Sequence, residues 1–277
     1  MLEIDKLSVG FVRYAGWFRR IASEPLRDVS LRARPGEVVA LVGASGAGKS
    51  LLAHAVLGIL PPTAQVTGAM RWQGEPLTAA RQRLLRGRSV ALVPQALTYL
   101  DPSARARRQV AWAAQAAGRS AATALATEEL KRYGLGAVAQ RNFPHELSGG
   151  MARRVLTAMA TVAQAQLLIA DEPTTGLDAQ ASSQSLEYLR GLADQGRTVL
   201  VISHDLAALT AVADRFVVLD AGRCVESVEA DDFMVGRVTE AYTRDLRRAL
   251  PQLGFQLPGT SDPTVQVAAP REEPLHA

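Results

Sequence analysis

Eight consecutive residues have the types and the spacing needed to hold a phosphate chain: Gly43-Ala44-Ser45-Gly46-Ala47-Gly48-Lys49-Ser50. An apolar run over residues 37–42 precedes them and a helical pattern begins at Leu51, which predicts a strand, a loop and a helix. Glycines let consecutive backbone N–H groups turn inward around a diphosphate, and the helix start adds unpaired N–H donors. In such a loop the Lys49 ammonium lies between the β- and γ-phosphates, and the Ser50 hydroxyl is a ligand for Mg²⁺. The pattern, with Leu51, predicts a nucleoside triphosphate site; the alternative is a glycine-rich turn without function.

Two adjacent carboxylates, Asp171 and Glu172, end a later apolar run over residues 166–170. Ligands of an open parallel sheet lie at the carboxyl ends of its strands, so Asp171 is expected beside the phosphate loop, where it can hold Mg²⁺ through water. Glu172 lies one residue further out, where it can polarise an attacking water. The alternative is an acidic turn that caps the next helix. Beside a phosphate loop, the pair favours hydrolysis of the triphosphate.

Two more polar residues, Gln95 and His204, follow apolar runs that predict strands. His204 is placed to donate a hydrogen bond to the γ-phosphate or to the attacking water, and the alternative is a core histidine with satisfied hydrogen bonds. The amide oxygen of Gln95 is placed to complete the Mg²⁺ shell, and the alternative is a glutamine in a surface loop. We therefore count Glu172, His204 and Gln95 as candidate catalytic residues, and Ser50, Gln95 and Asp171 as candidate metal ligands.

A second anion-binding pattern is the segment Leu147-Ser148-Gly149-Gly150-Met151. It opens a helix with apolar residues at positions 151, 155, 159 and 162. Ser148 is a natural N-cap, and Gly149 and Gly150 leave N–H groups bare for an anion. Residues 43–50 already form a full cradle for one triphosphate. We therefore predict that this second segment serves the nucleotide of another subunit.

Composition restricts the class of protein. The 277 residues contain no window of about 18 uninterrupted apolar residues and no basic stretch followed by an apolar one at the start, so neither a membrane span nor a secretory signal is expected. Cys224 is the single cysteine, which excludes an internal disulfide and a cysteine-built metal cluster. The net charge is only +4, and the short basic clusters at residues 86–88 and 105–108 favour solvated helix faces over a nucleic-acid patch. We expect a cytosolic protein without a nucleic-acid partner.

Two kinds of strand pattern must position the candidate residues. Residues 2–9 and 28–34 alternate apolar and polar side chains, which is typical of an antiparallel sheet, and residues 11–25 between them form an excursion without a clear period. The apolar runs before Asp171 and His204 are continuous, as in parallel strands covered on both faces. Shorter strands are predicted around residues 68–72, 89–93, 215–220 and 224–227, the last two joined as a hairpin.

A helical block separates the two strand-rich parts. Residues 94–144 are rich in Ala, Arg and Glu, which predicts helices at 111–117 and 121–131. From about Pro251, proline and polar residues take over, and we expect a disordered tail. The predicted fold class is α/β. Its parts are a nucleotide-binding core with an antiparallel β part (1–95 and 159–250), a helical subdomain (96–158) and the tail (251–277).

These motifs together resemble the ATP-binding subunits of ABC transporters, in which the phosphate loop, Gln95, Leu147–Gly150, Asp171-Glu172, Gly176-Leu177-Asp178 and His204 occur in this order. The resemblance covers residues 37–205. It implies a P-loop NTPase with a RecA-like mixed sheet and flanking helices, a small antiparallel β subdomain and an inserted ABC helical subdomain. It also implies two subunits paired head to tail, each Mg²⁺-ATP lying between one phosphate loop and the partner's Ser148-Gly149-Gly150.

The resemblance adds two site residues by position. Phe11 matches the aromatic residue that stacks on adenine, with Tyr14 as the second choice and a plain core aromatic as the alternative. Asp178 matches a loop that signals across the dimer, and its alternative role is an N-cap.

Four runs resemble one subgroup, the oligopeptide, dipeptide and nickel importers: residues 93–102, 144–151, 170–178 and 242–251. Many peptide-importing relatives carry a cysteine-rich tail for an iron–sulfur cluster. This sequence has no such cysteines, which favours nickel or a metal chelate over peptides as the cargo. An ABC exporter ATPase and a non-transport ABC ATPase are the alternatives.

The subgroup also implies an assembly. A second ATP-binding subunit, most simply a paralogue, two transmembrane permeases and, indirectly, a substrate-binding protein are the expected partners, at the cytoplasmic face of a prokaryotic inner membrane. We expect the permease contact near residues 96–105, where Tyr99, Leu100 and Pro102 lie just past Gln95.

Overall fold

The computed structural model describes residues 1–15 and 19–251, with side chains described outside residues 13–21. Within these residues the strands form a four-stranded antiparallel sheet and a six-stranded mixed sheet. The strands are β1 (Leu2–Ala15), β2 (Arg19–Ala33), β3 (Val38–Val42), β4 (Ala64–Trp72), β5 (Glu75–Pro76), β6 (Val90–Val93), β7 (Leu167–Asp171), β8 (Thr198–Ile202), β9 (Arg215–Asp220) and β10 (Arg223–Glu229). The α-helices are α1 (Lys49–Leu57), α2 (Ala79–Leu85), α3 (Ala106–Ala116), α4 (Ala122–Arg132), α5 (Gly149–Thr161), α6 (Ala179–Asp194), α7 (Leu206–Leu209), α8 (Ala230–Val235) and α9 (Ala241–Arg248).

The mixed sheet has the strand order β10-β9-β3-β8-β7-β6, and only the pairing of β10 with β9 is antiparallel. Every residue of β3, β7 and β8 is buried, because apolar clusters cover both faces of the sheet. This burial explains the continuous apolar runs in the sequence. Since β3, β6, β7 and β8 run in one direction, the residues that follow them meet at one edge of the sheet.

The antiparallel sheet has the order β2-β1-β4-β5 and packs its inner face on the same apolar cluster as α1. The predicted excursion over residues 11–25 was wrong: β1 continues to Ala15, and Phe11 pairs with Ser23 on β2. Three register shifts, between Ile4 and Phe11, interrupt the pairing. These shifts lie before residue 11, and residues 11–15 then pair with residues 19–23 in regular register. Pairing with β2 therefore extends the strand, although the side chains of this stretch show no clear period.

Helices α3, α4 and α5 surround an apolar cluster of their own, which confirms the predicted helical block. Leu100 belongs to this cluster and is only 4% exposed, so the prediction that it offers a surface contact was wrong. Its neighbour Tyr99 is 54% exposed. The chain turns Leu100 inward just before α3 because this small helical unit must fill its own core.

The β9–β10 hairpin agrees with the prediction, and α1 ends at Gly58, which adopts a left-handed conformation. Across residues 1–15 and 19–251, none of the helices combines the length and the apolar character that crossing a bilayer requires. The predicted disorder of the tail concerns residues 252–277, which lie outside the described residues.

Candidate nucleotide-binding site

The phosphate loop connects β3 to α1, as its spacing predicts. Gly43 has a φ of 144°, and a Cβ at this position would lie 2.0 Å from the carbonyl oxygen of Leu219 on β9. Gly48 has a φ of 97°, and a Cβ there would lie 2.5 Å from the side chain of Leu26 on β2. Any other residue would collide at either position, so glycine is required by packing as well as by the approach of a ligand.

Lys49, the first residue of α1, is 8% exposed and folds back over the loop. Its Nζ donates hydrogen bonds to the carbonyl oxygens of Gly43 (2.8 Å) and Ala44 (2.9 Å). Burial lowers the pKa of Lys49, while the charges of Glu172 and Asp171 act in the opposite direction. The ammonium is therefore held inside the loop without a bonded carboxylate, free to pair with an incoming phosphate.

Asp171 ends β7 and is 4% exposed. Burial raises the pKa of its carboxyl, and a hydrogen bond with the side chain of Ser50 opposes that shift. Its Oδ1 atom has no hydrogen-bond partner. A buried acceptor without a donor is costly, and a hard divalent cation would satisfy it. The Ser50 and Asp171 oxygens therefore fit a magnesium site.

Glu172 follows β7 directly and is 7% exposed. Its φ of 51° is unusual for a residue with a side chain, and such conformations cost about 1–3 kcal/mol and cluster at functional sites. Its Oε2 lies 2.8 Å from Nδ1 of His204 and 3.4 Å from the hydroxyl of Ser203. The carboxylate is thus aimed by two donors from the end of β8.

His204 has a side chain that is 72% exposed, which excludes the alternative of a core histidine. Gln95 is also exposed and follows β6 through Pro94. Both residues border the cleft of the phosphate loop, which has a volume of about 410 Å³. The structure therefore brings Gln95, Glu172 and His204 to the phosphate loop. The cleft is lined by Pro25, Ser45, Gly46, Gly48, Lys49, Ser50, Leu51, Gln95, Glu172, Ile202 and His204.

Sequence reasoning missed Arg153, a residue of α5 that is only 5% exposed. Its Nη1 donates a hydrogen bond of 2.9 Å to the carbonyl oxygen of Pro94, directly before Gln95. Burial lowers the pKa of its guanidinium, and the charges of Glu172 and Asp171 oppose the shift. One buried cation thus connects the helical subdomain to the Gln95 loop and to the carboxylates. Helix α5 holds two adjacent arginines, Arg153 and Arg154, and nothing in the sequence showed that Arg153 has this role.

Ser148 caps α5 as predicted, its hydroxyl accepting a hydrogen bond of 3.3 Å from the N–H of Met151. The residues described as lining the phosphate cleft do not include 148–150. A Cβ at Gly149 would meet no atom within 4 Å, and no positive φ requires glycine there. The fold of this chain therefore gives no reason for glycine at this exposed position.

Two residues assigned by resemblance have structural roles in the chain. Phe11 is half-buried in β1, packs on the apolar cluster under the antiparallel sheet and lines a different cavity from that of the phosphate loop. Stacking of Phe11 on adenine stays a prediction, and the side chain of Tyr14 lies outside the described residues. Asp178 caps α6, its Oδ1 accepting a hydrogen bond of 2.7 Å from the N–H of Ala181. Signalling by Asp178 likewise stays a prediction.

A glycine-rich loop between a buried strand and a helix, with a buried lysine and with carboxylates at the end of another parallel strand of the same sheet, defines the class of P-loop nucleotide-binding proteins. The family described as "ABC transporter" matches residues 26–175. Oligopeptide transport ATP-binding protein OppD of Mycobacterium tuberculosis is 39% identical over 267 residues, covering 91% of this chain and 42% of that protein. OppD of Bacillus subtilis is 34% identical over 265 residues, covering 91% of this chain and 72% of that protein. The chain belongs to the ABC transporter family.

Solved structures agree on the fold. A dimeric, post-hydrolysis structure of the ATP-binding cassette MJ0796 bound to ADP and Pi has a TM-score of 0.74 at 24% identity, covering 83% of this chain and 99% of that one. A structure described as the ATP-binding subunit of an ABC transporter has a TM-score of 0.70 at 28% identity, covering 85% and 92%. The mixed sheet, the antiparallel sheet and the inserted helices are therefore those of an ABC cassette.

Proposed function

We propose that the chain hydrolyses ATP to drive import of peptides through separate permeases at the cytoplasmic face of a prokaryotic inner membrane. The observation that carries the hydrolysis is the position of Glu172, beside the phosphate loop and aimed by His204 at 2.8 Å. Glu172 polarises a water whose oxygen attacks the γ-phosphorus, while the bond to the β–γ bridging oxygen breaks and leaves ADP and phosphate. His204 orients the carboxylate through Nδ1, and as an imidazolium it also donates from Nε2 to the γ-phosphate.

The donor set at the cleft fits Mg²⁺. The unpaired Oδ1 of Asp171, the Ser50 hydroxyl and the amide oxygen of Gln95 are all oxygen ligands of the kind that this ion prefers. When bound, Mg²⁺ neutralises charge on the β- and γ-phosphates. Lys49 supplies a further positive charge and releases its bonds to the loop carbonyls to do so.

A second ATP-binding subunit completes the proposed site. Gly149 is exposed, lies at the start of α5 and has no steric reason within this chain to be glycine. Binding of a partner's ATP explains the glycine, because a phosphate can then approach the bare N–H groups of Gly149 and Gly150. We therefore propose a head-to-tail pair, formed with a copy or a paralogue, that ATP closes and hydrolysis reopens.

The proposed permease contact lies just beyond Gln95. Tyr99 is 54% and Leu97 is 36% exposed, and Tyr99 borders an apolar cleft of about 310 Å³ between the mixed sheet and α3 and α5. Exposed apolar residues beside a cleft of this kind suit the insertion of a partner segment. Because Gln95 and Tyr99 share one short loop, a movement of Gln95, the proposed Mg²⁺ ligand, also moves Tyr99 at the proposed permease contact.

The cargo is proposed from the names of the relatives. The chain spans 42% of the length of mycobacterial OppD, so its cargo and partners are inferences beyond the matched part. OppD of Mycobacterium tuberculosis and of Bacillus subtilis is named for oligopeptide transport, and a Sinorhizobium fredii relative that is 38% identical is named a probable peptide ABC transporter ATP-binding protein. These names favour peptides over the nickel or metal-chelate cargo that the missing cysteines suggest.

Uptake by cells that depend on this chain tests the proposal. We expect Lys49→Ala to abolish uptake of a labelled oligopeptide, because the phosphates of ATP lose a positively charged partner, while Lys131→Ala, at an exposed position of α4, has no effect. If Lys49→Ala abolished nickel uptake but left peptide uptake unchanged, the cargo would be nickel rather than peptides. Affinity purification of the tagged chain from membranes should recover two permeases, and recovery of none would overturn the import function.

A further inference from the structure

Tyr242, the second residue of α9, contacts the phosphate loop from outside the nucleotide cleft. Its hydroxyl accepts a hydrogen bond of 2.9 Å from the N–H of Ala44, although 198 residues separate the two in the chain. Tyr242 is not among the residues described as lining the cleft. The bond therefore reaches the loop without occupying the space that a nucleotide needs.

The same peptide group is held from its other side by Lys49. The N–H of Ala44 and the carbonyl of Gly43 belong to one peptide, and that carbonyl accepts a hydrogen bond of 2.8 Å from Lys49 Nζ. No peptide in the described residues is cis, and in a trans peptide the carbonyl and the N–H point in opposite directions. Lys49 from inside the cleft and Tyr242 from outside thus fix the orientation of the first peptide plane of the loop.

The start of α9 is itself anchored, so the hydroxyl has a defined position. Glu226 on β10 accepts hydrogen bonds through Oε1 from the N–H (2.7 Å) and the hydroxyl (2.9 Å) of Thr239, and through Oε2 from the N–H of Glu240 (3.3 Å). Arg247 in the last turn donates to the carbonyl oxygen of Met234 at 2.7 Å. The side chains of Tyr242 and Leu246 pack against the apolar cluster of the mixed sheet.

We propose that Tyr242 is a positioning residue that orients the phosphate loop for the nucleotide. When Lys49 turns toward a phosphate, its hold on the Gly43 carbonyl weakens, and the Tyr242 bond then keeps this peptide from rotating. The loop is thereby preorganised, which improves affinity without any contact between Tyr242 and the ligand. The inference rests on the proposed nucleotide site, and its effect falls on binding of both ATP and ADP.

Tyr242→Phe tests this role because it removes only the hydroxyl. We expect the Kd for Mg²⁺-ATP and for ADP, measured by titration with the unlabelled nucleotides, to rise about two- to tenfold, the range typical of one lost hydrogen bond. KM should rise accordingly, and kcat at saturating ATP should fall by less than KM rises. Amide exchange at Ala44, followed by NMR or mass spectrometry, should become faster in the variant.

Tyr188→Phe is the matched control, since the Tyr188 hydroxyl also has hydrogen-bond partners, Glu129 and Arg132, but lies outside the cleft. We expect unchanged nucleotide affinity in the control. Wild-type protein that binds no ATP would refute the proposed function itself. Wild-type protein that binds ATP, together with a Tyr242→Phe variant of unchanged affinity and unchanged Ala44 exchange, would overturn the role of Tyr242 alone.

Discussion

Glu172→Gln tests the role of Glu172 in ATP hydrolysis without changing the shape of the nucleotide cleft. The amide has the shape of the carboxylate, so its oxygen can still accept hydrogen bonds from His204 at 2.8 Å and from Ser203 at 3.4 Å. The charge is removed. We expect ATP to bind as before, because the phosphate loop and Lys49 are untouched, while the attacking water is no longer polarised.

The expected magnitudes differ between turnover and stability. Loss of a general base lowers turnover by about 10²-fold or more, which corresponds to about 2.7 kcal/mol of activation free energy. The lost attraction to His204 is worth less than about 1 kcal/mol, because that side chain is 72% exposed and water screens it. Relief of the repulsion between Glu172 and buried Asp171, which raises the pKa of Asp171, acts in the opposite direction. The free energy of unfolding should therefore change little.

Three measurements on one preparation check this reasoning: steady-state phosphate release by the assembled transporter, nucleotide titration and thermal unfolding. Glu187→Gln is the control, since this exposed residue of α6 also accepts a side-chain hydrogen bond, at 2.9 Å from Ser183. The control should behave as the wild type in all three. Normal phosphate release by the Glu172→Gln variant would refute the assignment of the base, and a variant that cannot bind ATP would show that Glu172 builds the cleft instead.

Gly149→Asp should leave the ATP affinity of the isolated subunit nearly normal but prevent ATP-driven dimerisation, measured by light scattering. The reason is that the new carboxylate would meet the γ-phosphate of the partner's ATP. If the isolated subunit lost ATP affinity, the segment would instead bind the subunit's own nucleotide. Tyr99→Asp should keep ATP binding but release the subunit from its permease in a pull-down. Val138→Asp, at a residue that is 71% exposed on the helical subdomain, should leave the subunit bound to the permease. If the Tyr99→Asp variant stays fully bound, Tyr99 is excluded as the docking site. Burial alone would raise the pKa of Glu226, but the hydrogen bonds led by the Thr239 N–H outweigh it and lower the pKa. Its stabilising contribution is therefore present at neutral pH and is lost as the pH falls through the lowered value, so wild type and Glu226→Gln should differ in Tm at pH 7 and converge in acid, and a constant difference would contradict this.

The sequence alone was sufficient for the parts of the site that depend on local spacing. The strand, loop and helix around Lys49 follow from glycine positions and apolar runs, and the gathering of Gln95, Glu172 and His204 follows from the shared direction of parallel strands. These features need no knowledge of which distant residues touch. The cap of α5 by Ser148 is also local, and it was predicted correctly.

Contacts between distant residues could not be predicted in this way. Arg153 donates a hydrogen bond to Pro94, 59 residues earlier in the chain, and no periodicity distinguishes it from the adjacent Arg154. Leu100 was assigned to the permease contact because it lies just past Gln95, yet it packs inside the small helical core. The continuation of β1 over residues 11–15 was missed for a related reason: pairing with β2, rather than the pattern of side chains, maintains the strand there.

The closure of the phosphate loop by late elements has a consequence for synthesis on the ribosome. β3 pairs with β8 and β9, Gly43 packs against Leu219, and Ala44 bonds to Tyr242, which is 198 residues downstream. At about 5–20 residues per second, the ribosome needs about 10 to 40 s to travel that distance. The phosphate loop is therefore synthesised early, whereas the residues that pack against it and hydrogen-bond to it are synthesised late. During that interval the nascent chain carries an incomplete nucleotide pocket, and release of α9 from the exit tunnel is the event that completes it.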